Sequence, residues 1–399
     1  MWEMRNLQTE LVEIRRYLHK NAEIGFDVDI TYTYIKERLE EYGYTVQKCG
    51  KAGLVATVGE GEKTFLLRAD IDALPICEKT KLSYACKCGH MHACGHDMHA
   101  AMLLGAAKLL KAKEKELKGK VKLLFQPAEE LLEGAKDVIQ NGALNAPTPQ
   151  AGMTLHVMTG VDMPTGTATV ASGISAPAAD YFLIKVQGKG CHGSAPWAGR
   201  DALTVAARIL LGLEELSARE IPIATPAVLT VGRLETDGAD NAISDSAVLK
   251  GTMRTFDENL RKKLKKRIEE IARNIACAYQ CTAKTVYTGG CPTLINDEKL
   301  AVFTETVLCD TLGKERVLNL NNLGADTRKN SGGSEDFAYI SHELPTVMVA
   351  LAAGEREKGY RYPLHHPKVR FDEEVLSIGA KIYASIAFEW LKAQEKKQP

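Results

Sequence analysis

Apolar and polar positions divide this chain into two stretches of different rhythm. Up to about residue 180, short apolar runs alternate with segments whose apolar residues recur at helical spacing. Residues 64–71 read as a buried strand, and a helical pattern runs from 97 to 117. Residues 120–125 form a second strand, 128–141 fit a helix stopped by Gly142, and 153–157 form a third strand. Strands separated by helices in this way predict an α/β architecture: a mostly parallel central sheet, joined by crossovers and flanked by helices.

From about Tyr181 the order changes to strand 181–186, helix 202–216, strands 227–234 and 246–256, helix 258–279 and strand 282–287. That β-α-β-β-α-β succession is a split βαβ unit able to stand as its own small layer. The apolar run 345–351 then returns the chain to the first sheet. The expected organisation is therefore a discontinuous domain, 1–180 with 293–399, and an inserted domain at 181–292. Length agrees, since 399 residues exceed the roughly 250 to 300 at which a single core stops growing.

Composition narrows the partners. Lys plus Arg equals Asp plus Glu at 51 each, which leaves no basic field for nucleic acid or an anionic membrane, so a small-molecule substrate is expected. The densest basic run, 261–267, has apolar residues at helical spacing and reads as a solvated helix face. No apolar run approaches the roughly 18 residues of a membrane span. The opening residues lack an apolar signal region, so a cytoplasmic protein with its ten cysteines reduced is expected.

Candidate chemistry gathers where strands end. His92-Ala93-Cys94-Gly95-His96-Asp97-Met98-His99 lies where a loop becomes a helix. Thiolate and imidazole two residues apart on a glycine-bent loop can turn toward one metal position, and a thiolate can bridge two. The same segment also reads as a helix start capped by Asp97 with incidental histidines. Gln126-Pro127-Ala128-Glu129-Glu130 follows the second strand; acidic residues there suit a first helical turn, but ligands of open α/β sheets also bind beyond the strands' carboxyl ends. His156 ends the third strand, and Leu364-His365-His366-Pro367 follows the last. Each histidine alone is ordinary; ligand-type side chains at four strand ends are not.

These segments resemble the dinuclear metallopeptidase superfamily of aminoacylases, carboxypeptidase G and hippurate hydrolases, in particular its hippurate and indoleacetyl-amino-acid hydrolase branch. The resemblance extends to Arg15–His19, Leu67–Pro75, Gly190–Pro196, Gly333–Phe337 and nearly the whole length. It implies metal-dependent hydrolysis of N-acyl amino acids at two divalent ions, with zinc, manganese, nickel and cobalt all compatible with the ligand types. The implied ligands are Cys94 as the bridge, His96, Glu130, His156 and His365, with Glu129 as general base. The resemblance further implies that His192 donates to the oxyanion from the partner subunit of a homodimer, that the inserted domain is lid and dimer surface, and that Asn241 and Arg254 contact the substrate carboxylate. N-acetyl-diaminopimelate deacetylase and dipeptidase activities share this scaffold, and a non-catalytic metal-binding protein or a cysteine-nucleophile hydrolase using Cys94 or Cys191 are readings from other classes.

Three places depart from the family. Cys86, Cys88 and His90 enrich the loop before the metal motif, as decoration or as a separate metal clip. Asp70 stands where the wider superfamily has a ligand histidine, so Asp70 and Asp72 are expected to support the ligands rather than bind metal. Ser244 replaces a frequent proline near Asn241.

Overall fold

The computed structural model describes residues 6–323 and 333–395; the opening residues 1–5, on which the export expectation rests, lie outside them. The chain divides into two compact units. One runs to Ser175 and resumes at Ile295 and again at Glu335, and the other is centred on Ala176–Leu294.

The first unit is built on an eight-stranded sheet. Its four central strands, in spatial order Lys120–Gln126, Thr64–Asp70, Ala151–Met158 and Thr346–Ala352, are mutually parallel. Antiparallel pairing takes over at the flanks, where Gly53–Gly59 borders Lys120–Gln126 and Ala168–Val170 borders Thr346–Ala352. The strand Thr64–Asp70 is buried at every position, as a parallel strand covered on both faces must be. Register places Asp70 beside Gln126, and Ala350 beside His156. The carboxyl ends of these strands therefore share one edge.

The helix His96–Ala112 crosses this sheet as its innermost cover, with 14 of its 17 residues buried. Such burial requires apolar or small residues on every side, and Ala100, Ala101, Ala106 and Ala107 supply them. Its neighbours are Leu7–Lys20 and Leu376–Glu395. They approach so closely that a Cβ on Gly105 would lie 2.8 Å from Ala380 Cβ and 2.9 Å from a methyl of Leu11.

The second unit is a four-stranded antiparallel sheet in the order Ala227–Thr236, Ser246–Thr255, Ala178–Gln187, Thr282–Cys291. The helices Ala202–Glu220 and Glu258–Ala278 begin at Asp201 and Asp257, whose carboxylates accept from backbone N–H groups of the first turn. Their apolar stripes, Val205, Ile209 and Leu213 with Leu264 and Ile268, close on Phe182, Ile184 and Leu249. The basic run 261–267 lies on the outer part of the second helix, and Arg261 and Lys265 are paired with Asp180.

Two expectations need correction. The helix read at 128–141 is only Gly134–Gln140, because Ala128 and Leu132 adopt left-handed backbone conformations, with φ of 57° and 55°. The thiols are not all free: Cys86 and Cys88 are joined in a disulfide, the turn through Lys87 setting their Cα atoms 5.7 Å apart. Among the described residues no helix is long and apolar enough to cross a membrane.

Gly105→Val should overpack the contact with Leu11 and Ala380 and lower stability by about 1–3 kcal/mol, read as a reduced urea midpoint with an unchanged slope. A midpoint equal to that of the parent protein would contradict this packing.

Candidate metal centre

The site is assembled at the shared edge of the parallel strands. Gly95, with φ of 89°, turns the chain into the helix His96–Ala112 where a Cβ would lie 2.4 Å from a methyl of Val157. Only glycine meets both demands, and the turn sets Cys94 and His96 on either side of it. Cys94 Sγ lies 3.4 Å from His156 Nε2. His156 Nδ1 is 2.8 Å from the Val157 carbonyl oxygen and donates to it, so Nε2 is the free acceptor facing the thiol. Burial pushes the His156 pKa down to about 3, with His99 adding to the effect, which keeps the ring neutral.

The remaining candidates arrive from loops. Glu129 and Glu130 donate their backbone N–H groups to the two carboxylate oxygens of Asp72, at 3.0 and 3.2 Å. That clamp, rather than a helical turn, aims their side chains inward. Asp72 Oδ1 also lies 3.5 Å from His96 Nδ1. His365, held in a left-handed conformation with φ of 63°, donates its N–H to the Ala93 carbonyl at 2.9 Å and brings Nε2 to 3.4 Å from Glu130 Oε1. Its neighbour His366 turns away and stacks on Tyr362, ring centroids 4.3 Å apart.

These placements form two groups of potential ligand atoms that share one sulfur. Atoms from Cys94, His96 and His156 lie within 4.8 Å of one another, and so do atoms from Cys94, Glu130 and His365. His96 Nε2 and Glu130 Oε1 are buried without a hydrogen-bond partner, although the oxygens of Asp70, Glu129 and Glu130 come to 3.9 Å from His96 Nε2. Unpaired buried nitrogen and oxygen atoms aimed at a common point are costly unless a cation occupies it. The donor set of one thiol, three imidazoles and one carboxylate therefore fits a pair of borderline-soft divalent ions. His92, in the same sequence motif, is buried with neither ring nitrogen hydrogen-bonded and belongs to no such group among the described residues.

Charge points the same way. Burial holds Glu129 well above the usual carboxylate range, and Glu335, Glu130 and Asp336 push it further. Burial likewise raises Glu130 to about 7 and Asp336 to about 8. Burial also pushes the Cys94 thiol up, so without a cation it is a poor nucleophile, which weighs against a cysteine-hydrolase reading.

Support residues explain why these groups stay in place, and their roles were not evident from sequence. Arg68, fully buried, spans Asp70 at 2.7 Å, Asp336 at 2.9 Å, Glu335 at 3.0 Å and Gln126 at 3.0 Å. Asp336 also accepts from the Gln126 side chain and the Ala135 N–H, and its own N–H donates to Glu129 Oε1 at 3.4 Å. His99 accepts the Val157 N–H at Nε2, so its Nδ1–H donates to Asp70 at 2.5 Å. The one available signal was a charged residue inside an apolar strand, Leu67-Arg68-Ala69-Asp70. Asp72 thus holds the Glu129–Glu130 backbone, while Asp70, besides pairing with Arg68, forms a further group of potential ligand atoms with His96 and His99.

The other sequence candidates belong to the second unit. His192 Nδ1 accepts from the Ser194 N–H at 3.1 Å, which leaves its proton on an exposed Nε2. Asn241 lies across the same short pairing, its carbonyl accepting from Gly193 N–H at 2.7 Å. Arg254 donates to Thr252 at 2.5 Å and to the Tyr181 hydroxyl at 3.0 Å. Ser244 donates its hydroxyl to the Ser246 carbonyl at 2.7 Å, a bond unavailable to proline.

Comparison with known proteins places this geometry. The model of peptidase family M20/M25/M40 matches residues 66–389. An N-acetyl-L-cysteine deacetylase of Bacillus subtilis is 36% identical over 375 residues, covering 93% of this chain and 85% of the relative. An indole-3-acetate (IAA)-amino acid hydrolase of Arabidopsis thaliana, ILR1-like 4, is 34% identical over 388 residues, covering 96% and 86%. A crystal structure of the Bacillus subtilis YXEP protein, described as a dinuclear metal binding peptidase from the M20 family, superposes with a TM-score of 0.78 at 31% identity, covering 97% and 99%.

Stripped of metal, the protein keeps Glu130 largely buried and Asp336 fully so, with pKa values of about 7 and about 8. Those values lie above the roughly 4.3 and 3.9 of an unfolded chain, so their stabilising effect is complete below about pH 4 and is lost as pH rises through 7 to 8. His156 and His92, depressed to about 3 by burial, act in the opposite sense only up to about pH 6.5, so the chelated protein should lose several degrees of Tm between about pH 6.5 and about pH 8, and a divalent ion should restore them. A chelated Tm that rises across that interval would contradict the assignment.

Proposed function

We propose, since the chain belongs to peptidase family M20/M25/M40 and is a metal-dependent amidohydrolase, that it cleaves the amide bond of N-acyl amino acids to a carboxylic acid and a free amino acid. The observation that supports this most is the pair of ligand groups sharing Cys94, with Glu129 next to them in sulfur-free groups, one with His96 and Glu130 and one with Glu335 and Asp336. Mere retention of metal does not call for an additional buried carboxylate.

Two divalent ions, when bound by Cys94, His96, Glu130, His156 and His365, would polarise the scissile carbonyl and lower the pKa of water toward about 7. Glu129 then takes the proton of the attacking water and delivers it to the nitrogen of the leaving amine. Its carboxylate is suited to both steps, because Asp336 N–H holds Oε1 at 3.4 Å while Oε2 faces the His96 side. The surrounding acidic groups raise its affinity for the proton in transit.

The oxyanion formed as the carbonyl carbon becomes tetrahedral needs a donor, and we assign it to His192 Nε2–H. Support comes from the tautomer that Ser194 imposes and from the family resemblance, which supplies this histidine from the partner subunit of a homodimer through the lid. One such donor contributes about 2.7–4 kcal/mol to the transition state. The guanidinium of Arg254 and the side chain of Asn241 are assigned to the substrate's free carboxylate.

Glu129→Gln should lower kcat by about 100- to 10,000-fold on N-acetyl, N-benzoyl and N-indoleacetyl amino acids, with metal content per chain unchanged. Freed amino acid is the quantity to assay. Turnover equal to that of the parent enzyme would exclude Glu129 as the base, and comparison across the panel ranks the acyl groups.

A further inference from the structure

The loop joining the strand Thr64–Asp70 to the helix His96–Ala112 contains a cysteine pair for which the hydrolytic reading has no use. Residues 75–90 leave and rejoin the metal centre through a single antiparallel bridge. Leu74 N–H donates to Met91 O at 3.1 Å, and Met91 N–H to Leu74 O at 2.9 Å. Asp72, which clamps Glu129 and Glu130, stands on one side of that bridge, and Cys94 and His96 stand on the other.

Inside the loop the Cys86–Cys88 disulfide has one accessible and one buried sulfur residue. Cys88 is exposed, whereas Cys86 is packed against Ala22 and Ala73. From Cys86 a chain of polar contacts leads to the ligand helix. The Cys86 N–H donates to Glu78 Oε2 at 2.9 Å, and that oxygen lies 3.2 Å from His19 Nε2. His19 Nδ1 lies 2.9 Å from Asp97 Oδ2, which also accepts from Arg15 Nε at 2.7 Å. Asp97 is the residue directly after His96.

We propose that Cys86–Cys88 is a reversible thiol–disulfide site, reactive toward dithiols, whose oxidised form fastens the loop so that Cys94 and His96 are held ready for metal. In the reducing direction, a dithiol's thiolate attacks the sulfur of the exposed residue Cys88 and the Cys86–Cys88 bond breaks. Cys86 leaves as a thiolate and takes up a proton. The second thiol of the reagent then displaces Cys88, so the protein gains two electrons and two protons while the reagent becomes a disulfide. With one residue between the two sulfurs, reoxidation needs no second chain.

Reduction frees the turn at Cys86, loosens the Glu78 contact and slackens the link to the first turn of the ligand helix. Disturbing the partners that orient metal ligands costs about 10- to 100-fold in metal affinity, and the lower figure is expected for contacts this far out. Loop closure over so short a span does little to global stability, so the effect should be local.

The test uses the full chain without substrate. Metal-free protein is oxidised with glutathione disulfide or reduced with dithiothreitol, freed of reagent, alkylated under denaturing conditions and mapped by mass. A second portion of each form, folded and not alkylated, is titrated with Co2+ alone. Reduction should expose two further thiols per chain, at Cys86 and Cys88, and weaken Co2+ binding about tenfold. The double variant Cys86→Ser, Cys88→Ser should bind Co2+ as weakly as the reduced parent whatever its redox history. Should that variant not fold, the two redox forms of the parent carry the comparison. A pair that stays closed under dithiothreitol, a pair that stays open under glutathione disulfide, or equal Co2+ affinity in both forms would overturn the proposal. No turnover is measured, so a failed hydrolytic assignment would leave this result readable.

Discussion

Too much negative charge is buried at one edge of one sheet for the protein to hold it unaided. Asp70, Asp72, Glu129, Glu130, Glu335 and Asp336 meet there, and among the described residues the only permanently cationic side chain buried with them is Arg68. Ionised carboxylates out of water must be paired or protonated, and the raised pKa values of Glu129, Glu130 and Asp336 express that conflict. Divalent cations resolve it, and the unpartnered His96 Nε2 and Glu130 Oε1 lie where such cations would sit. The same conflict suits Glu129 to its proposed role as base, because a carboxylate that tends to regain its proton can pass one on.

Rigidity comes from the way the fold is layered around the site. Parallel strands deliver Asp70, Gln126 and His156 to a common edge, and the all-round buried helix His96–Ala112 fixes the loop that precedes it. Arg68 then ties a strand, the Gln126 side chain and the Glu335–Asp336 turn together from beneath, while Asp72 ties the Glu129–Glu130 backbone from the side. Removing one partner from such a buried network leaves an uncompensated charge and is far more costly than losing a surface pair.

Much of this could be read from residues. The strands, the helix His96–Ala112 and the β-α-β-β-α-β unit follow from apolar spacing, and the ligand-type side chains stand at or beyond the strands' carboxyl ends, on the side where an open α/β sheet binds. The 128–133 segment was misread because acidic residues after a strand mimic a helix start. Its true conformation depends on Asp72, more than fifty residues earlier, which no local pattern contains. Arg68 and His99 were recognisable as odd residues in buried elements, but their roles arise from long-range pairing. The disulfide escaped because composition describes a chain's average thiol, not one pair brought together by a turn.

The most direct test of the central claim is a crystal structure of the protein grown with Mn2+ or Zn2+, with the ions located by anomalous scattering. The account predicts two peaks per chain that share Cys94 Sγ, one also bonded to His96 or His156 and the other to Glu130 or His365, with Glu129 bonded to neither. A single peak, peaks away from Cys94, or Glu129 as a direct ligand would contradict it.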